Sequence, residues 1–356
     1  MKAKNISFSI NGRKIGNYYP PYCIAEVGIN HNGSLDRAKT MIEVAKQAGA
    51  DAVKFQTFKA DEFCVPGQMF TYKSQGKKVT EPMLDMFRRF ELSLDDWVEI
   101  KDYCNKKKIT FFSTPQNLTD LETLKKIGVA AIKIGSDDFT NLPLISSYKS
   151  LNLPLILSCG MSDLSEVHQA LEVAGWFQGY PVALLLCTSQ YPTPPKDVNI
   201  SKLTTLKSAF PELLVGFSDH TENSLAASLA VSKGARIFEK HFTLDRNLPG
   251  PDHWFSENPD GLINWVKNIH ISDVMLGDPR IIPTKAELEM RLIARRSLVA
   301  LKNIAKGEKF LNENVGAKRP GGGLEPKFIN QILGLTASRN IKEGEKLSIG
   351  DIKNDL

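Results

Sequence analysis

The chain has 356 residues, of which 24% are charged, and carries a formal net charge of +5. This length exceeds one typical domain and is sufficient to bury a large core. Acidic residues are interleaved with the basic ones and no ladder of aromatic and basic residues is present, which excludes nucleic acid as an expected partner. The mildly positive charge suits small anionic substrates.

The cysteines and the apolar segments indicate the compartment. The five cysteines are widely spaced and form no Cys-x-x-Cys pair, a pattern typical of a reducing cytoplasm. Residues 1–5 lead into no apolar segment, and no run of about 18 apolar residues occurs. We therefore expect a soluble cytoplasmic protein without a membrane partner.

Regular alternation of short apolar runs and helical patterns predicts an α/β fold. Residues 5–16 predict a hairpin around Asn11-Gly12. Strands are then predicted near 22–27, 51–56, 109–113, 131–134, 154–158, 182–187, 213–217 and 236–240. Helices are predicted near 34–48, 94–107, 118–127, 142–150, 163–175, 200–209, 222–232 and 260–275. Eight βα units match a (β/α)8 TIM barrel. A doubly wound sheet is disfavoured because no glycine-rich phosphate-binding turn follows the first strand.

Two regions depart from this alternation. Residues 58–92 form a long polar excursion after the second strand, and we expect it to cover the mouth of the barrel. Past residue 276 the segment from Asn303 to Phe310 recurs 37 positions later, from Asn340 to Leu347, with Gly-Glu at a turn in each copy. Two copies predict a small pseudo-symmetric β domain. The predicted domains are 1–280 for the barrel, 281–295 for a linker and 296–356 for the small domain.

Two histidines end neighbouring predicted strands, His220 after the seventh and His241 after the eighth. The carboxyl ends of all barrel strands meet at the face where barrel enzymes carry their chemistry. Imidazole is the commonest metal-donating side chain, so the pair predicts a divalent metal site with open positions. Two hydrogen-bonded structural histidines are the alternative.

Lysines inside apolar runs predict an anion-binding site at the same face. Lys54 and Lys133 lie in predicted strands, where an unpaired ammonium group is costly to bury. A Schiff-base lysine is the competing interpretation. Asp252, in the rigid Pro-Gly-Pro turn after the eighth strand, either binds substrate or only ends the turn. Hydroxyl groups that complete a cradle for phosphate and carboxylate come from Thr114, Ser136, Ser158 and Ser218.

Several motifs resemble the sialic acid synthase family from about residue 20 to the end of the chain. They are AEVGINHNG (25–33), VKFQT (53–57), FFSTP (111–115), IKIGS (132–136), CTSQYPTP (187–194), GFSDHT (216–221), EKHFT (239–243) and PGPDH (249–253). The C-terminal repeat resembles the antifreeze-like (SAF, β-clip) domain of that family.

The resemblance implies a synthase that condenses phosphoenolpyruvate with the open-chain aldehyde of an N-acetylmannosamine-type sugar and water, and releases phosphate. Mn²⁺, or another divalent ion such as Mg²⁺ or Co²⁺, is expected on His220 and His241 as a Lewis acid. A homodimer is also implied, in which the small domain of one chain covers the barrel of the other. The implied catalytic residues are Glu26, Lys54, Lys133 and Asp138, and the implied substrate-binding residues are Thr114, Ser136, Ser158, Ser189, Tyr191, Ser218, Asp252 and Arg319.

Two departures from the family pattern bear on the sugar. Gly135-Ser136-Asp137-Asp138 replaces the usual Gly-Ser-Gly-Glu, and Ser189 replaces an asparagine. The shorter Asp138 leaves space for a bulkier or more apolar sugar. We therefore expect a slight preference for 2,4-diacetamido-2,4,6-trideoxymannose, the precursor of N,N′-diacetyllegionaminate, over N-acetylmannosamine. The sequence assigns no role to Asp137. The alternatives are a 3-deoxy-octulosonate phosphate-type synthase and, from another class, a non-catalytic carbohydrate-binding protein.

Overall fold

The structure is a computed structural model, and it describes residues 7–353. The chain divides after Gly277 into two compact units. The strands are β1 (Ser7–Ile10), β2 (Arg13–Gly16), β3 (Tyr22–Gly28), β4 (Ala52–Thr57), β5 (Met69–Ser74), β6 (Lys77–Pro82), β7 (Thr110–Pro115), β8 (Ile132–Ile134), β9 (Leu155–Ser158), β10 (Val182–Cys187), β11 (Leu214–Asp219), β12 (Ile237–His241), β13 (Ser297–Ala300) and β14 (Val315–Lys318).

The α-helices alternate with the barrel strands in the first unit, and the last two belong to the second unit. They are α1 (Leu35–Gln47), α2 (Ala60–Phe63), α3 (Met83–Arg88), α4 (Leu94–Lys107), α5 (Leu118–Ile127), α6 (Leu142–Lys149), α7 (Leu164–Val173), α8 (Pro195–Val198), α9 (Lys202–Ala209), α10 (Leu225–Ser232), α11 (Pro259–Leu276), α12 (Lys285–Ala294) and α13 (Ile329–Ile332).

Eight parallel strands close into a barrel in the order β3, β4, β7, β8, β9, β10, β11 and β12, with β12 paired to β3. The strands are short apolar runs that the barrel buries completely; all six residues of β10 are buried, for example. Local signals begin the helices between them: Ser93 and Asp96 form a capping box at the start of α4. The prediction of a TIM barrel is confirmed.

The N-terminal hairpin and the excursion after β4 add to the barrel. Strands β1 and β2 pair antiparallel around Asn11 and Gly12, and the first two residues of the predicted hairpin lie outside the described residues. The excursion contains α2, a second antiparallel hairpin of β5 and β6, and α3. Gln75 and Gly76 form its turn with φ of 50° and 76°, the left-handed values that a tight two-residue hairpin turn requires.

The second unit has its own core and an internal two-fold pattern. Ile304 and Ile341, equivalent positions in the two repeats, exchange backbone hydrogen bonds of 2.8 Å in both directions. Asn303 Oδ1 accepts from Glu343 N at 2.9 Å, and Asn340 Oδ1 accepts from Lys306 N at 2.7 Å. Each repeat therefore satisfies backbone groups of the other. Helix α12 occupies most of the stretch predicted as a linker.

Among the helices of residues 7–353, none combines the length and apolar character that crossing a lipid bilayer demands.

Candidate active site

The register of the barrel brings charged side chains together at the carboxyl ends of its strands. Glu26 on β3 lies directly beside Lys54 on β4 on one side and His241 on β12 on the other. Ser218 on β11 lies beside Glu239 on β12. Side chains alternate between the two faces of a strand, so Glu26, Glu239 and His241 all point into the barrel.

A cavity of about 530 Å³ opens at this face, within the first unit. Two predicted site residues do not line it. Asp138 lies beside the cavity wall with its carboxylate turned to Asn141, and Arg319 is an exposed residue of the second unit. The predicted residues that do line it are Glu26, Lys54, Thr114, Lys133, Ser136, Ser158, Ser189, Tyr191, Ser218, His220, His241 and Asp252.

The two interior lysines are buried and held by hydrogen bonds and carboxylates. Lys54 Nζ lies 2.9 Å from Glu26 Oε1 and donates to Thr114 Oγ1 at 3.0 Å. Lys133 Nζ donates to Ser158 Oγ at 2.7 Å. Glu239 lies between them, 3.8 Å from Lys54 and 3.7 Å from Lys133. Two buried cations thus share two carboxylates at the floor of the cavity, and this pairing offsets part of the desolvation cost of burying them.

Two carboxylate oxygens of this ion network have no hydrogen-bond partner, and burial shifts the pKa values of the network. Glu26 Oε2 and Glu239 Oε2 are buried and accept no hydrogen bond. Burial raises the pKa of Glu26 to about 7, although Lys54 opposes the shift. Burial lowers the pKa of Lys133. A carboxyl group with a pKa near neutrality is suited to hold or release a proton at neutral pH.

Ser136, Gly160 and Ser189 form a small cradle in the same wall. Gly160 N donates to Ser136 Oγ at 3.0 Å. A Cβ atom at position 160 would lie 2.6 Å from Ser136 Oγ and 2.4 Å from Ser189 Oγ, closer than real contacts allow. The absence of a side chain at Gly160 therefore keeps space open beside two hydroxyl groups. Hydroxyl groups and backbone N–H groups near lysines are the donors that bind phosphate and carboxylate oxygens.

The two histidines fit a metal site. Their ring centroids lie 5.5 Å apart. His220 Nδ1 lies 2.8 Å from the carbonyl oxygen of Thr188, which can only accept, so Nδ1 carries the proton and Nε2 is left as the donor to a metal. His241 Nδ1 is buried without a partner. Burial holds the pKa of His241 well below its usual range, which keeps this ring neutral as metal binding requires.

A second group of possible metal ligands lies at the opposite end of the strands. Ligand atoms of Cys23, Asp51 and His270 lie within 4.8 Å of one another. Asp51 Oδ2 already accepts from Cys23 N at 2.8 Å, and its other oxygen pairs with Arg13. This carboxylate is therefore committed to structural contacts that hold the start of β3.

The turn that carries Asp252 is fixed by a histidine. His253 Nε2 lies 2.9 Å from Asn32 Oδ1, and His253 Nδ1 lies 2.6 Å from Thr243 Oγ1. Asn32 Nδ2 also donates to Pro249 O at 2.6 Å. These bonds place Asp252 at the cavity, where burial raises the pKa of its carboxyl group to about 6.

The excursion after β4 supplies one wall of the cavity. The β5–β6 hairpin is tied to the Pro-Gly-Pro turn, because Gly250 N donates to Ser74 Oγ at 3.1 Å. Lys73 Nζ lies 4.8 Å from the centre of the Trp254 ring, within the range of a cation–π contact. The apolar residues of this wall and of the facing loops are Phe63, Phe70, Tyr72, Phe87, Met161, Trp254 and Phe255.

Sequence reasoning missed three parts of the site. Glu239 could have been found, because it precedes His241 by two residues on one strand and must share its face. The aromatic wall comes from loops, for which the sequence offers no periodicity. Asp137 lines the cavity, but neighbouring residues in a bend are not sorted by strand alternation.

Comparison with known proteins agrees with this architecture. The model of the NeuB family matches residues 41–280, and that of the SAF domain matches residues 295–353. An N,N′-diacetyllegionaminic acid synthase of Legionella pneumophila is 38% identical over 344 residues, covering 95% of this chain and 96% of that protein. A pseudaminic acid synthase of Helicobacter pylori is 34% identical, covering 95% and 99%.

A solved structure shows the same likeness. The crystal structure of an N-acetylneuraminic acid (sialic acid) synthetase from Leptospira borgpetersenii, in complex with citrate, is 33% identical with a TM-score of 0.72, covering 82% of this chain and 96% of that one. The match of the family model to more than half of the chain, together with these relatives, decides the assignment. The chain belongs to the NeuB family of nonulosonic acid synthases, which condense phosphoenolpyruvate with a sugar.

Proposed function

We propose that this chain condenses phosphoenolpyruvate with an open-chain N-acetylated mannosamine-type sugar and water in the cytoplasm, and releases phosphate. The observation that carries the proposal is the pair of buried lysines beside the hydroxyl cradle, in one cavity with two histidines. A binding protein has no need for a buried, incompletely paired ion network, whose desolvation is costly.

The residues divide the work by their chemistry. Lys54 and Lys133 neutralise the phosphate and carboxylate of phosphoenolpyruvate. The hydroxyl groups of Ser136 and Ser158, which accept from Gly160 N and Lys133 Nζ, donate to the substrate oxygens. C3 of phosphoenolpyruvate attacks the sugar aldehyde, and water adds at C2 before the C–O bond to phosphate breaks. Glu26, with a pKa of about 7, positions this water and takes its proton.

We propose Mn²⁺, or a similar divalent ion, on His220 and His241. When bound, such an ion would polarise the aldehyde oxygen of the sugar as a Lewis acid. We expect His220→Ala and His241→Ala each to abolish both turnover and Mn²⁺ binding measured by calorimetry, while circular dichroism stays unchanged. Near-normal activity in either variant would contradict the assignment.

For the sugar, we propose a preference for 2,4-diacetamido-2,4,6-trideoxymannose over N-acetylmannosamine. The aromatic wall supports this preference, because Phe63, Phe70 and Phe87 suit a methyl group at C6 and an acetamido methyl group better than a hydroxyl group. The same wall disfavours a sugar phosphate, the acceptor of a 3-deoxy-octulosonate phosphate-type synthase. Among the described residues that line the cavity, Lys73 is the only lysine or arginine that belongs to this wall, and it lies over the ring of Trp254.

The test is phosphate release from phosphoenolpyruvate with Mn²⁺ and each sugar in turn. A hundredfold preference in kcat/KM for the diacetamido sugar, about 2.7 kcal/mol of transition-state binding, would establish an N,N′-diacetyllegionaminate synthase. The reverse preference would establish an N-acetylneuraminate synthase. Turnover with arabinose 5-phosphate alone would favour the octulosonate alternative, and no release with any acceptor would favour the carbohydrate-binding alternative.

We also propose a homodimer in which Arg319 reaches the sugar bound by the partner chain. A mixture of two separately inactive variants, Glu26→Gln and Arg319→Ala, tests this arrangement. If the sites are shared, subunit exchange will recover part of the activity, because one site in each mixed dimer then has both wild-type residues. No recovery in mixed dimers, shown to form by mass spectrometry, would contradict the proposal.

A further inference from the structure

The carboxylates of the cavity fall into two sets. Glu26 and Glu239 lie on the floor and face Lys54 and Lys133 at 2.9 to 3.8 Å. Asp137 also lines the cavity, but its carboxylate forms no hydrogen bond or ion pair with any residue between 7 and 353. Asp137 therefore presents an exposed carboxylate at the cavity, where it is available to a ligand.

The backbone directs Asp137 into the cavity. Strand β8 has only three residues, Gly135 follows it, and the chain then bends over residues 136–138. A Cβ atom at position 135 would lie 2.1 Å from Asp137 Oδ1, so the carboxylate occupies the space that the glycine leaves free. Burial lowers the pKa of Lys54, but nearby carboxylates raise it on balance, and Asp137 is one of them.

The neighbouring Asp138 has a different task. Its Oδ1 accepts from Asn141 Nδ2 at 3.1 Å, and its backbone oxygen accepts from Asn141 N at 3.0 Å. Asn141 is the residue that precedes α6, so these bonds fix the start of that helix. Asp138 is half-buried and absent from the cavity lining. Its carboxylate is committed to the loop and not to a ligand.

A carboxylate at this position suits one of the two substrates better than the other. Phosphoenolpyruvate is a multiply charged anion, and an unpaired carboxylate would repel it. An N-acetylated sugar instead presents hydroxyl and amide N–H donors that need acceptors, which a free carboxylate binds strongly. Resting on the proposed function, we infer that Asp137, and not Asp138, is the carboxylate that binds the donor groups of the acceptor sugar.

Asp137→Asn and the matched control Asp138→Asn test this inference through the KM of each substrate. Asp137→Asn should raise the KM of the sugar about 10- to 100-fold, the effect of losing a hydrogen bond to a charged group, and leave the KM of phosphoenolpyruvate within about twofold. Asp138→Asn should leave both KM values within about threefold and lower the melting temperature. Asp137→Glu should restore part of the sugar affinity.

A glycine variant supplies independent evidence. Gly135→Ala puts a methyl group where the Asp137 carboxylate lies, so it should raise the KM of the sugar as Asp137→Asn does. The effects should not add in the double variant, because both changes remove one interaction. An unchanged sugar KM in Asp137→Asn, or an equal rise for phosphoenolpyruvate, would overturn the inference while wild-type turnover upholds the proposed function. A wild-type enzyme that releases no phosphate with any sugar would overturn both.

Discussion

Two ion networks lie on opposite faces of strand β12, and they are built differently. On the inner face, Glu239 is shared between Lys54 and Lys133, and one of its oxygens has no hydrogen bond. On the outer face, Lys240 Nζ donates to Thr221 O at 2.6 Å and lies 3.2 Å from Asp219 Oδ2. One network is left incomplete at a cavity, and the other is fully satisfied between the barrel and its helices.

No buried side-chain nitrogen or oxygen atom of the outer network lacks a hydrogen-bond partner. Asp219 Oδ2 also accepts from Trp265 Nε1 at 2.9 Å, and Asp219 Oδ1 accepts from the backbone and the hydroxyl group of Thr221. Glu257 is paired with Arg246 at 3.0 Å and lies 3.9 Å from Lys240. A saturated buried network holds one geometry, whereas an unsaturated one keeps sites for a ligand. Changes inside the barrel should therefore affect turnover, and changes outside it should affect stability.

The largest effect is expected on the inner face, from Glu26→Gln. Glutamine keeps the shape of the side chain but cannot take a proton, so kcat should fall by about 10²- to 10⁴-fold. Lys54 keeps Glu239 as a partner, so the free energy of unfolding should change by less than about 1 kcal/mol. Steady-state kinetics and urea denaturation measure the two quantities. A large loss of stability with little loss of rate would make Glu26 a structural residue.

Next in size is Lys240→Met on the outer face. It leaves Asp219 without its cation in a buried position, which should lower the free energy of unfolding by about 3 to 5 kcal/mol. Lys39→Met is the matched control, because Lys39 pairs with Glu99 on the surface, where ion pairs contribute little to stability. Chemical denaturation compares them. Equal costs in the two variants would remove the distinction between the networks.

Gly160→Ala sharpens the comparison, because it adds a group to the cavity without removing any charge. The new methyl group must displace the hydroxyl groups of Ser136 and Ser189, and φ at this position is not in the left-handed region. We expect the KM of phosphoenolpyruvate to rise about tenfold, as one or two hydrogen bonds are lost. Gly350→Ala is the control, because φ there is not in the left-handed region either and a Cβ atom would meet only Ser348 Oγ, at an ordinary contact distance of 3.7 Å.

Near neutral pH, the smallest effect is a pH dependence of stability that arises away from both networks. His31 is buried, and Nδ1 accepts from Gly33 N at 3.1 Å, so protonation would break this bond. Burial lowers the pKa of His31 to about 3, against about 6.5 in the unfolded chain. Between these values the unfolded state binds more protons, so the neutral ring stabilises the fold above pH 6.5 and this contribution is lost as the pH falls.

His31→Gln should therefore flatten the dependence of the unfolding free energy on pH between about 6.5 and 4. The exposed His168, changed to glutamine in the same way, is the matched control. Urea denaturation at several pH values measures both variants. An unaltered slope in His31→Gln would show that other groups, such as His253, account for the acid sensitivity.

The sequence predicts the barrel because its signals are periodic. Apolar runs such as Val182–Cys187 and capping residues such as Ser93 are local features that the fold retains. The β5–β6 hairpin was missed because its turn has Gln75 at φ 50°, where asparagine is the usual residue. The distinction between Asp137 and Asp138 depends on the bend over residues 136–138 and on the space beside Gly135, which are tertiary features.

The reciprocal bonds of the C-terminal unit give it the symmetry of a small dimer. Each repeat supplies the asparagine that accepts from the other's loop, and the two isoleucine backbones pair only with each other. Such contacts are those of an isologous interface, in which identical surfaces meet across a two-fold axis. The small domain thus has the form of a homodimer of a peptide of about 37 residues whose two copies are joined end to end.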